Sequence, residues 1–156
     1  MAWWESAPVT KLGQFLRQPQ AQRALFMEAC LCLFVARLLL LVPFRWVAPH
    51  LGVHMTESPE SIAPEALPQV RRVAKTIRWA SRHMPWQCKC LVRAMAAKAM
   101  LRRRGFASTL YMGVAKDPGP KQLKAHAWLR CGPIVLTGGA EAPGFAVVST
   151  FAEKDS

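Results

Sequence analysis

A chain of 156 residues is long enough for one domain with a real core, and 52% hydrophobic against 19% charged residues excludes a disordered tail. The net charge of +12, from 21 Lys and Arg against 9 Asp and Glu, directs attention to acidic peptides or proteins, anionic membrane surfaces or nucleic acid. Five cysteines cannot all pair within one chain, and Met1-Ala2-Trp3-Trp4-Glu5 lacks the texture of a secretory signal, so a cytoplasmic protein with reduced thiols is expected.

Residues 10 to 42 read as helix, with a candidate break at Gln18-Pro19-Gln20. The stretch Ala24 to Pro43 is strongly apolar, but Glu28 and Arg37 interrupt it. No uncharged run approaches the roughly 18–20 apolar residues of a spanning helix, and each central charge would add roughly 2.5–3.5 kcal/mol on insertion. A buried or partner-facing helix is therefore favoured over a membrane span. Residues 52 to 64 are turn-rich and read as a loop.

A helix is expected from the region Pro64 to Pro68 to about His83. Val70, Val73, Ala74 and Ile77 fall on one face; Arg71, Arg72, Lys75, Arg78 and Arg82 occupy much of the other, favoured as a solvated surface over a binding stripe. The next helix runs from about Cys90 to Arg104, with Ala94, Met95, Ala97 and Leu101 on its apolar side and Gly105 suited to end it. Beyond it the texture turns to strand: 108–114, 125–131, 134–137 and 145–151, with a turn at 117–120. Helices first and strands second predict an α+β class. We divide the chain into an apolar helical region, 1–56, and a core, 57–156, within one compact domain.

Cys90 opens the helix after Pro85-Trp86-Gln87-Cys88-Lys89, and His126 sits on the strand His126-Ala127-Trp128-Leu129. A helix N-terminus favours thiolate over thiol, and a thiolate beside an imidazole is a nucleophile with its base. For an arbitrary Cys and His, a small buried cysteine and an incidental histidine is the commoner reading. Cys88 lies upstream of the periodic run, so Cys90 is the candidate nucleophile. Cys88, Cys90, Cys131, His83 and His126 form the rival zinc set, but C-x-C spacing is not that of common structural sites, and no metal is expected. Nucleic acid is not expected either, because only charge supports it.

Pro85-Trp86, then Cys90-Leu91-Val92-Arg93-Ala94, Leu101-Arg102-Arg103-Arg104-Gly105, Gly113-Val114, His126-Ala127-Trp128-Leu129 and Gly138-Gly139 appear in that order. The set resembles the cysteine-peptidase half of the lasso-peptide B proteins, which are transglutaminase-like leader peptidases. The resemblance implies a transglutaminase- or papain-like fold, with a small antiparallel sheet packed on the helix that Cys90 heads. It implies removal of the leader from a ribosomally made precursor before macrolactam formation, with Cys90 as nucleophile and His126 as base. The implied partners are the precursor leader, a separate small leader-recognition protein and an ATP-dependent lactam synthetase; hydrolysis itself needs no cofactor. A basic interaction or membrane-docking module, and an acyl transferase using the same pair, are the alternatives.

One departure stands out. Gly138 occupies the place where many such proteins carry an aspartate, and the chain contains no Asn. Asp117, Glu141, Glu153, Asp155 or a backbone carbonyl remain as partners for His126.

Overall fold

The computed structural model describes residues 11–119 and 122–153. The expected helix start at residue 10, Pro120 of the expected turn, and Asp155 lie outside the described residues.

The first helical stretch breaks where Pro19 offers no N–H: α1 spans Lys11–Leu16 and α2 Gln20–Leu39. α2 buries Leu25, Ala29, Leu33 and Ala36, one stripe at helical spacing. Its other face leaves Met27, Leu31, Phe34, Val35 and Leu38 exposed. The Glu28 charge in this apolar helix is paired: its carboxylate accepts two bonds from the Arg104 guanidinium, at 2.9 and 2.6 Å. Among the described residues no helix is long and apolar enough to cross a membrane. After Pro43 the chain makes a short helix, α3 (Phe44–Val47), and a 3₁₀ turn over Ala48–Leu51.

The segment expected as a loop at 52–64 is not all loop. Val53–His54 forms a strand, β1, whose residues pair with Ala152 and Phe151. Two residues in a turn-rich segment carry no alternation of their own; the partner strand nearly a hundred positions away makes them a strand.

α4 (Leu67–His83) carries Pro68 in its first turn and buries Val70, Val73, Ala74, Thr76, Ile77 and Ala80, leaving its arginines outside. α5 (Cys90–Arg103) is buried on almost every side, because α2 and α4 pack on it and the sheet lies against it. Its alanines at 94, 96 and 97 allow that close approach. Gly105, at φ +77°, ends it, and the Phe106 N–H reaches back to the Leu101 carbonyl at 3.0 Å. Lys98 is buried on this helix, where a lysine needs a partner. Its ammonium donates to the Ser108 carbonyl at 2.8 Å and pairs with Glu153 at 2.9 Å.

The strands are β2 (Thr109–Lys116), β3 (Leu123–Cys131), β4 (Ile134–Thr137) and β5 (Ala146–Ala152). With β1 they form one antiparallel sheet in the order β1-β5-β2-β3-β4. A single core cluster joins Leu25 and Leu33 of α2, Ile77 of α4, Met100 of α5 and Leu110, Leu129 and Phe151 of the sheet. The α+β architecture, helices followed by a small antiparallel sheet packed on the helix of Cys90, is the one expected.

Candidate active site

Cys90 is the first residue of α5 and half-buried. The first N–H groups of a helix have no carbonyl partner inside it, so they face the ground around this thiol. Lys89 stands at the N-cap with an extended backbone and no capping side chain, leaving those donors unoccupied by a cap. The run-in is anchored by Trp86, whose ring lies 5.9 Å from that of Phe34. Burial pushes the Cys88 thiol up, against the opposing pull of Arg93, Trp86 and Arg37. Burial likewise raises Cys30, Cys32 and Cys131.

His126 lies on β3, directly across from Gly113 of β2. Alternation along the strand sends Ala127 and Leu129 into the core cluster and turns His126 and Trp128 to the other face. There the imidazole is bracketed by Phe145, 5.0 Å away, and Trp128, 5.8 Å away, and Trp128 stacks in turn on Tyr111. Gly113 makes room for this: a Cβ there would come within 2.9 Å of both Phe145 and the Trp128 ring. The imidazole side chain is only 9% exposed.

The residue that holds the ring is Gly138, through its backbone. The His126 Nε2–H donates to the Gly138 carbonyl at 2.9 Å. A carbonyl can only accept, so the proton sits on Nε2 and the lone pair of the neutral ring on Nδ1. Gly138 adopts φ +69°, a left-handed conformation that suits glycine. A Cβ there would stand 2.7 Å from the Ala127 carbonyl and 2.8 Å from Nε2 itself. A side chain at this place would collide with the ring.

The other candidates fall away by position. The Glu141 carboxylate is 3.7 Å from the same Nε2, beyond hydrogen-bond range, and 63% exposed. Glu153 is engaged by Lys98, Arg102 and the Ser108 N–H. Asp117 sits at the β2–β3 turn, where its N–H bonds to the Gln122 carbonyl.

The pairing of Cys90 with His126 is not closed by a hydrogen bond among the described residues. What the fold supplies is α5 packed against β3, while the His126 ring itself turns to the face of the sheet away from the core cluster. No three His, Cys, Asp or Glu residues among those described are grouped to hold a metal ion. The aromatic bracket around His126 was not anticipated; the i, i+2 spacing of His126 and Trp128 on a strand was the available signal.

No curated protein and no solved structure matches the chain. The family model for the transglutaminase-like superfamily matches residues 38–150, which takes in both Cys90 and His126. Members of that superfamily are generally cysteine-dependent enzymes, peptidases and acyltransferases among them. A match over this much of the chain, with helices followed by one antiparallel sheet as its fold, places the protein in the transglutaminase-like superfamily.

Proposed function

We propose that the protein is a cysteine peptidase that removes the leader from a ribosomally made lasso-peptide precursor before the lactam ring is closed. The observation that carries this reading is the His126 Nε2–H bond to the Gly138 carbonyl. It leaves Nδ1 as the ring's proton acceptor, on a strand packed against the helix that Cys90 opens.

In this mechanism Nδ1 of His126 takes the Cys90 thiol proton, and the thiolate attacks the carbonyl at the leader–core junction. The backbone N–H groups of the first turn of α5 stabilise the tetrahedral oxyanion. The imidazolium gives its proton to the departing amine, and water then resolves the thioester to a free carboxylate. Catalytic hydrogen bonds are often long in the unliganded enzyme and shorten with substrate, so this mechanism requires Cys90 and His126 to meet in the substrate complex. A separate leader-recognition protein presents the precursor, and an ATP-dependent synthetase consumes the product.

Mass spectrometry of the precursor after incubation with the enzyme and the leader-recognition protein tests the assignment. Wild type and Cys90→Ser are compared with Cys88→Ala. The Cys90 variant is expected to release no leader and Cys88→Ala to retain most activity. Leader release at wild-type rate by the Cys90 variant sinks the proposal, and inactive Cys88→Ala beside an active Cys90 variant moves the nucleophile to Cys88. Acyl transfer, which uses the same residues, would instead give an amide adduct when a primary amine is added.

The exposed apolar face of α2 favours a second reading, a docking module in which Cys90 is inert. Iodoacetamide labelling of Cys90 separates the two.

A further inference from the structure

We propose that a cleft beside the His126 loop is an anion subsite that takes the carboxylate of an acidic side chain on the peptide substrate. The cleft, about 380 Å³, lies between α4, the first turn of α5 and the end of β4 with the loop that follows. Its identification with a peptide rests on the peptidase reading; its preference for an anion does not.

Three guanidinium groups wall it, Arg78 and Arg82 from α4 and Arg93 from α5. None of the three forms an ion pair with an acid among the described residues. Two buried groups at the same cleft lack a hydrogen-bond partner: Nε of Arg93 and the hydroxyl of Thr137, a residue only 7% exposed. Buried donors are ordinarily paired, so a wall of cations with an unpaired N–H and O–H is short of an acceptor. A carboxylate supplies one, because its two oxygens match the planar guanidinium fork.

The single acid of the cleft does not fill this role. Glu141 is 63% exposed and stands 3.7 Å from Nε2 of His126. The excess is therefore two positive charges. Position ties the cleft to catalysis: Thr137 immediately precedes the glycine whose carbonyl holds His126, and Arg93 lies one helical turn beyond Cys90. An acidic residue near the scissile bond is the substrate feature that meets this arrangement.

The test uses the full chain carrying Cys90→Ala, so that binding is read without turnover. Two dye-labelled hexapeptides, Ala-Ala-Glu-Ala-Ala-Ala and its Gln twin, are titrated by fluorescence anisotropy at low salt. The Glu peptide is expected to bind about tenfold more tightly, a preference that vanishes in Arg78→Gln/Arg82→Gln and falls with added salt. Thr137→Val, which removes only the unpaired hydroxyl, is expected to weaken the preference a few-fold, with folding of both variants checked by circular dichroism. Equal affinities for the two peptides, or no binding by either, overturn the proposal. Inorganic phosphate binding these arginines while the Glu peptide shows no preference makes the site one for free anions and also overturns it. Leader release by the Cys90 variant would sink the peptidase reading alone, leaving the anion preference to these titrations.

Discussion

Gly138→Ala separates a backbone orienter from a side-chain one. The substitution forces an L-residue into φ +69°, which costs about 1–2 kcal/mol. It also places a methyl 2.7 Å from the Ala127 carbonyl and 2.8 Å from Nε2, so either the loop or the ring must shift by several tenths of an ångström. The shift breaks or lengthens the 2.9 Å bond to the Gly138 carbonyl. In the transition state that bond is donated by an imidazolium, and hydrogen bonds to charged groups contribute about 1.5–3 kcal/mol. The expected loss in kcat is therefore about 10- to 150-fold, at roughly 1.4 kcal/mol per tenfold. The assay is leader release by mass spectrometry, with ¹⁵N NMR of the His126 ring as a readout independent of turnover. Wild type is expected to show the Nε2–H tautomer and the variant a mixture. Gly139→Ala is the control, since its Cβ would meet only the Val135 side chain, at 3.0 Å. Gly138→Asp is expected to be no better than Gly138→Ala, because the collision occurs at Cβ and the carboxylate cannot restore the geometry. Wild-type kcat and an unchanged tautomer in Gly138→Ala would refute the carbonyl as the group that holds the ring.

Two further outcomes follow from the thiols and the ion pairs. Iodoacetamide is expected to label Cys90 ahead of the other four cysteines. Burial raises Cys30, Cys32, Cys88 and Cys131, so they should label only at higher pH; peptide mapping that finds all five equally slow favours the inert docking module. Glu28→Gln removes the charge pair that joins α2 to α5 and should cost about 1.5–3 kcal/mol, read as several degrees in Tm. The hydrogen bond from Arg104 holds the Glu28 carboxyl below its ordinary value, so its contribution is present above about pH 4.5 and lost as pH falls through the depressed folded value. The acid limb of stability should be shallower in Glu28→Gln; an identical limb would show that this pair does not set it.

Much of this architecture was legible because it is local. Pro19 broke the first helix, the stripe Val70, Val73, Ala74, Ile77 marked the inner face of α4, and Gly105 ended α5. Cys90 at a helix start was readable from the change of texture after Pro85. What was hidden depends on distant partners. Lys98 sits on an apolar helix because Glu153, 55 positions on, receives it. β1 exists because β5 offers it an edge. Arg78 and Arg82 read as solvated surface, and only the packing of α4 beside α5 brings Arg93 to the same cleft. The group that holds His126 is a backbone atom, set by a dihedral angle, and Gly-Gly in a sequence does not say which way its carbonyls point.

A carbonyl in place of a carboxylate has an electrostatic consequence that Glu141 tests. A buried aspartate would offset the charge of the imidazolium that forms during catalysis; a neutral carbonyl offsets much less of it. Among the described residues the acid paired with the ring is Glu141, 3.7 Å from Nε2 and 63% exposed. Exposed pairs contribute about 0–1 kcal/mol and are screened by salt. Glu141→Gln is therefore expected to lower kcat/KM by no more than about fivefold, an effect that shrinks as ionic strength rises. A hundredfold loss that persists in high salt would mean that Glu141 swings in to complete a triad on substrate binding. With the small effect, charge formed during the reaction is met mainly by backbone dipoles: the Gly138 carbonyl at the ring and the N–H groups of the first turn of α5 at the oxyanion.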